Sequence, residues 1–203
     1  MNIPHGEVKH APLKPHMSAG ETRLYASLLD VATEYLEYGC GGSTILAAER
    51  PLLRSTSIDS DPNWITALRQ QKLIEAAEDE GRLRLLHVDI GPVAEWGRPK
   101  DMSRVKSWPE YSQRPWLDAG YAPDFIFIDG RFRVACALEG ILHMRENAVL
   151  AIHDFWNRPD YHPVLPYLVW LASVDTLGVF KRRENIALAS ITTELNRYHL
   201  DPA

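Results

Sequence analysis

The sequence predicts an α/β fold: a mostly parallel, seven-stranded sheet between helices, closed by an antiparallel C-terminal hairpin. Three observations carry this. Short continuous apolar runs such as Phe125–Ile128 alternate with helix-period stretches, as expected of parallel strands buried on both faces. A glycine cluster, Gly39 to Gly42, stands between the first such run and a helix-forming stretch. Near the C-terminus two strand-like runs lie only a few residues apart, and a parallel crossover needs about a dozen or more.

The chain has 203 residues, 45% hydrophobic and 24% charged, which suits one domain spanning 1–203 and excludes disorder as the dominant state. Net charge is -5, so a nucleic-acid partner is not expected, because binding a phosphate backbone needs a basic face. Cys40 and Cys136 cannot build a disulfide framework and suit a reducing, cytoplasmic setting. No signal peptide and no bilayer-spanning stretch is expected, and no membrane partner.

Residues 1–17 hold three Pro and three His and read as an arm. His5, His10 and His16 suggest metal binding only weakly against a solvated tail. A helix is expected from Ser18 to Ala32, with Glu21 three residues after Ser18 in capping-box spacing. The first strand is Glu34–Tyr38. The glycine cluster leads into a helix from Thr44 to Glu49, which Pro51 ends. Ser55–Ile58 is the second strand. Asp61-Pro62 caps and opens one helix running to Gly81, with Trp64, Ala67, Leu68 and Ile74 on its apolar face. Leu83–Val88 is the third strand. Residues 90–122 are an aromatic insert with Trp96, Trp108, Tyr111, Trp116 and Tyr121, too long for an ordinary connection. It is either a cover over a substrate or a subunit contact in a homodimer. Phe125–Ile128 and Ala148–Ile152 are the fourth and fifth strands, flanking a helix with Val134, Ala137, Leu138 and Ile141 on its stripe. Val164–Val174 is expected to be helical. Leu177–Lys181 and Ile186–Ile191 are expected to form the hairpin.

The chemistry concentrates at strand ends. Glu37-Tyr-Gly39-Cys-Gly41-Gly-Ser43 joins a strand to a helix, where glycines let backbone amides approach a ligand. Asp59 ends the next strand, where a carboxylate accepts from ribose hydroxyls. Together these argue for a ligand with an adenosine half; a tight turn with no ligand is the alternative. Dinucleotide sites carry a third glycine where this chain has Thr44, and Glu37 would sit near phosphates. A cationic, phosphate-free ligand such as S-adenosylmethionine fits better.

Glu37 through Ser43 resembles the first motif of class I S-adenosylmethionine-dependent methyltransferases, an acid followed by GxGxG, with Ser43 in place of the last glycine. The resemblance runs from Glu34 to Ile191 and implies the Rossmann-like class I methyltransferase fold. It implies that Glu37 and the Gly39–Gly41 loop hold the methionine end. Asp59 would bind the ribose, and Asp89 the adenine amino group with the Ile90 amide nearby. Cys40, Ser43, Thr44, Ser60 and Asp129 complete the implied cofactor contacts. Asp89-Ile-Gly-Pro, Glu95-Trp96-Gly97 and Asp129-Gly-Arg-Phe-Arg are similar to bacterial methyltransferase-like proteins known only by fold.

Asp129 and Asp154 end the fourth and fifth strands, a partial similarity to catechol-type O-methyltransferases. Phe155 follows Asp154 where that family has Asn, and no metal is assigned. His153 is the candidate general base, or a strand-end histidine satisfied by a neighbour. Arg131 and Arg133 bind an anion on the substrate or form a structural salt bridge, for instance to Glu139. Cys40 reads as a small loop residue rather than a nucleophile. The expected activity is methyl transfer to a small molecule, at oxygen, with Asp129, His153 and Asp154 at the catalytic end. The alternatives are a methyltransferase-like cofactor-binding protein without catalysis and a nicotinamide-dependent oxidoreductase. Glu37, Thr44 and the hairpin speak against the latter.

Overall fold

The computed structural model describes residues 14–203, so His5 and His10 lie outside the described residues. The strands are β1 (Glu34–Tyr38), β2 (Arg54–Asp59), β3 (Leu83–His87), β4 (Phe125–Ile128), β5 (Val149–Ile152), β6 (Leu168–Val174) and β7 (Leu177–Arg182). They form one seven-stranded sheet in the order β3-β2-β1-β4-β5-β7-β6. The first five are parallel; β7 runs antiparallel to both β5 and β6. The chain builds outward from β1 to β3, then returns to place β4 on β1's other side. This reversal opens a crevice beyond the C-terminal ends of β1 and β4, where Tyr38 pairs with Ile128.

The helices are α1 (Ala19–Leu29), α2 (Gly42–Ala48), α3 (Pro62–Arg69), α4 (Lys72–Asp79), α5 (Pro109–Gln113), α6 (Arg133–His143) and α7 (Leu188–Tyr198). They cover both faces, so the inner strands alternate between two apolar layers. Along β4, Ile126 and Ile128 meet α6 and the insert, while Phe125 and Phe127 meet Tyr25 and Leu29 of α1. A third cluster joins Ile65, Leu68, Ile74 and Ala77 of α3 and α4 to Leu83 and Leu85 of β3. Ser18 caps α1 as its spacing predicts: its hydroxyl accepts from the Glu21 amide at 3.1 Å, and its own amide donates to Glu21 Oε2 at 2.8 Å.

Four expectations need correction. The stretch Val164–Val174 is not a helix. Pro163 and Pro166 lie in a 3-10 run, Pro159–Tyr167, and β6 follows. The hairpin is therefore β6–β7, turned through Asp175 at φ 48. Ile186–Ile191 is not a strand but leads into α7, whose Ile191 and Leu195 lie one turn apart and join the core cluster containing Ile141 of α6. Both apolar runs were too short for periodicity to separate helix from strand. The expected single helix from Pro62 to Gly81 is broken at Gln70-Gln71 into α3 and α4. Its buried face is Ile65, Leu68, Ile74 and Ala77, with Trp64 only half-buried.

The insert is anchored to the body by its large aromatic side chains. Tyr111 is fully buried, and the Trp108 indole donates to the Ile90 carbonyl at 3.0 Å. The Trp116 indole donates to the Tyr38 hydroxyl at 3.0 Å. Trp96 alone among the insert's tryptophans is exposed.

Candidate active site

The glycine loop sits on the ends of β1 and β4. Gly39 has φ 95, and a Cβ there would lie 2.6 Å from the Gly130 backbone nitrogen. Only glycine allows this approach, which seals the β1 loop against the β4 loop. Asp59, ending β2, brackets the same loop: its Oδ2 accepts from the Cys40 amide and its Oδ1 from the Asp61 amide, both at 2.8 Å. Burial pushes the Asp59 carboxyl up to about 6 against those hydrogen bonds.

Glu37 and Thr44 brace the loop from beneath. The Gly41 amide donates to the Thr44 hydroxyl at 2.9 Å, which donates to Glu37 Oε2 at 2.7 Å. Glu37 is fully buried, and its Oε1 has no partner among the described residues. Burial raises its carboxyl to about 7, partly opposed by the hydroxyls of Ser43, Ser57 and Thr44. Cys40 is buried and its thiol is pushed far up by burial, as for a loop-filling residue rather than a nucleophile.

A cavity of about 700 Å³ opens at these strand ends. Its floor is the loop from Gly39 to Ser43 with Asp59; its far wall is Asp129 to Arg131, with His153 and Asp154. The segment Lys14–Met17 lies across the rim and crowds Gly42, whose Cβ would sit 2.1 Å from the Pro15 nitrogen. Facing it is Trp96, whose ring is 5.4 Å from that of His16. Trp96 and Asp154, which line the cavity, and Phe132, beside it, all have positive φ (62, 57 and 54). Non-glycine residues rarely hold that conformation, and such strain gathers where geometry serves a ligand.

The far wall is a closed ion network. Arg133, in the first turn of α6, is 3.0 Å from Asp129 Oδ1 and 3.4 Å from Asp154 Oδ2. It also donates to the carbonyls of Asp129, Gly130 and His153. His153 lies between two carboxylates, with Nδ1 3.0 Å from Asp129 and Nε2 3.5 Å from Glu21 of α1. Burial works to lower the His153 pKa, but the Asp129 hydrogen bond and the surrounding carboxylates prevail and raise it. Asp129 moves the other way: burial raises it, and His153 with Arg133 hold it below the usual carboxylate range. Arg133 thus makes its salt bridges to Asp129 and Asp154 rather than to Glu139, which faces His143 at 3.4 Å.

The cavity wall thus gathers Gly39, Cys40, Gly41, Ser43, Asp59, Asp129, His153 and Asp154. Arg131 and Arg133, the candidate anion-binding residues, line it too, and the remaining candidates for the cofactor lie outside it. Glu37 and Thr44 are beneath the loop, and Ser60 donates to the Gly97 carbonyl at 3.2 Å. Asp89 pairs with Arg104 at 2.6 Å, away from the cavity, and the Ile90 carbonyl serves Trp108. Sequence reasoning missed Trp64, Arg98 and Arg158 on the wall, and Glu21 behind His153, while Trp96 belongs to the aromatic insert it had singled out. Glu21 carried a signal for its cap but none for a partner on a distant strand.

The same architecture recurs among solved structures. A methyltransferase-like protein from Silicibacter pomeroyi is 29% identical, with 94% of this chain and 99% of that chain covered and a TM-score of 0.81. This chain carries the class I methyltransferase fold. The O-methyltransferase from Bacillus cereus, solved with SAH, shares that fold at 16% identity, with 82% of each chain covered and a TM-score of 0.56. An O-methyltransferase of tomaymycin synthesis from Streptomyces achromogenes, solved with SAM, gives 18% identity, 82% and 81% coverage, and 0.55. No protein-family model and no curated protein matches the chain. In this methyltransferase fold the glycine loop after β1 and the acid after β2 meet at one crevice, as the motif's spacing predicts.

Proposed function

We propose that the protein transfers the methyl group of S-adenosylmethionine to a small-molecule acceptor, at oxygen. The observation that carries this reading is one cavity walled by the Gly39–Ser43 loop, Asp59 and Asp129 at the β1–β4 switch point. The donor set suits that cofactor. Asp59 offers a carboxylate edge to ribose hydroxyls. The loop's backbone, with open space beyond Gly41, suits the methionine end. Asp129, kept anionic, suits a cationic group. Glu37 contributes by holding the loop, in place of the direct contact the resemblance implies. Neither Asp89 nor Ile90 lines the cavity, so adenine recognition falls to other residues.

When bound, S-adenosylmethionine supplies a methyl group already activated on a sulfonium, so the protein's task is alignment and proton removal. The Asp129–His153 pair is the proton acceptor in this reading. Because the surrounding carboxylates raise the His153 pKa, the pair gains capacity to take the acceptor's proton as pH rises through that raised value.

A divalent cation does not fit the far wall. Asp129, His153 and Asp154 present ligand atoms within 4.8 Å of one another. The Arg133 guanidinium already bridges both carboxylates, however, and His153 Nδ1 is engaged with Asp129 at 3.0 Å. Methyl transfer should therefore be unchanged by EDTA or by added magnesium; turnover that needs magnesium would refute this. The cofactor reading is tested by calorimetric titration with S-adenosylmethionine, S-adenosylhomocysteine and NADH. Micromolar binding of the first two, lost in Asp59→Ala, is expected. Binding of NADH alone, or of none by folded protein, would overturn it.

A further inference from the structure

Arg131 has no counter-charge. Only 8% of it is exposed, yet its Nε has no hydrogen-bond partner, and its guanidinium forms no salt bridge among the described residues. It lines the cavity. Its backbone is held, since its carbonyl accepts from the Cys136 thiol at 3.4 Å. The cavity's other charges leave it unpaired. Asp129 is taken by Arg133 and His153, and Asp154 by Arg133 and Arg158. Asp59 accepts two backbone amides, and Glu95 is exposed on the insert without a salt bridge. Arg98, exposed on the insert's turn, lines the same cavity and forms no salt bridge among the described residues.

A buried cation without a partner is costly, and a rigid guanidinium fork matches an oxyanion. We propose that Arg131, with Arg98, is an anion subsite that takes a carboxylate or phosphate group of what enters the cavity. Two molecules could bring that group: the methyl acceptor, or the cofactor through its own carboxylate. Assigning either source rests on the proposed function, whereas the anion subsite itself does not.

Inorganic phosphate is the probe, titrated by thermal shift and calorimetry against the full chain, alone and with saturating S-adenosylhomocysteine. Arg131→Gln and the more exposed Arg98→Gln are the variants, the second guarding against misfolding of the first. Phosphate should raise the melting temperature of the parent protein and bind about tenfold more weakly in Arg131→Gln. Arg98→Gln should weaken it less. Phosphate binding that persists beside S-adenosylhomocysteine assigns the subsite to the acceptor. Competition assigns it to the cofactor, provided Arg131→Gln also weakens S-adenosylhomocysteine and leaves methylthioadenosine, which lacks the carboxylate, unchanged. Phosphate acting equally on all three proteins would overturn the subsite. So would no phosphate effect together with unchanged S-adenosylhomocysteine affinity in Arg131→Gln. If S-adenosylhomocysteine never binds, the phosphate arm still reads the subsite, so the two readings fail separately.

Discussion

Gly39 concentrates the site's geometry in one residue. Its positive φ and its contact with Gly130 hold two loops from non-consecutive strands together. Gly39→Ala must place a methyl 2.6 Å from a backbone nitrogen, so the loops have to part. The expected cost is about 2–4 kcal/mol, from strain at positive φ plus overlap. Chemical denaturation should show that loss, together with weakened S-adenosylhomocysteine binding. Near-parental stability would mean the loops are not mutually locked. This glycine was legible in the sequence because a strand precedes it and a helix follows. Its partner Gly130, ninety-one residues on, was not.

At the scale of elements, Glu21 ties α1 to the turn between β6 and β7 and to His153 after β5. Glu21 Oε1 accepts from the Thr176 amide and hydroxyl and from the Leu177 amide, while Oε2 serves the α1 cap and faces His153. The hydrogen bonds outweigh burial and bring its carboxyl down to about 2. Glu21→Gln should cost about 2–4 kcal/mol, since it removes charge from acceptors of several buried donors. It should also lower the His153 pKa, read by NMR titration of the ring. Lost stability without that shift would mean that the carboxylate anchors the hairpin but does not act on the histidine. The capping-box spacing was readable from Ser18 and Glu21, but the hairpin it anchors was placed one element too late. Leu168–Val174 and Ile186–Ile191 are short apolar runs of either possible period, and only their packing partners separate strand from helix.

For the whole molecule, the buried titratable groups set how stability depends on pH. Glu37 and Asp59 have raised folded pKa values, about 7 and about 6, so the folded state holds protons that the unfolded chain has released. His153, also raised, stabilises fully below its unfolded pKa, and that contribution is lost as pH rises through its folded value. All three make stability fall from mild acid toward alkaline pH. Glu21 and Asp129 are lowered, so their contributions are present above their unfolded values and lost as pH falls through the folded ones. The melting temperature should therefore be greatest at about pH 4–5 and decline toward pH 8. In Glu37→Gln the decline should shrink, by on the order of 1–3 kcal/mol in unfolding free energy between those limits. A melting temperature that climbs from pH 5 to pH 8 in the parent protein would contradict this account.

The order of the first five strands, the glycine loop and the acids at strand ends follow from local chemistry. Apolar runs, turn residues and caps act within a few residues of one another, so the sequence by itself determined the α/β class and the end of the sheet that carries the site. It also pointed to Asp59 and Asp129 as cavity residues. Contacts between distant segments were decided only by the tertiary structure. Arg133 could have faced a ligand or a carboxylate, and the proximity of β4 to β5 made it the cation between Asp129 and Asp154. Arg131, two residues earlier, follows the same turn but meets no carboxylate among the described residues, where the acids near it already have partners. Burial and pairing are properties of the packed chain, and they separate two arginines, one residue between them, that local sequence treats alike.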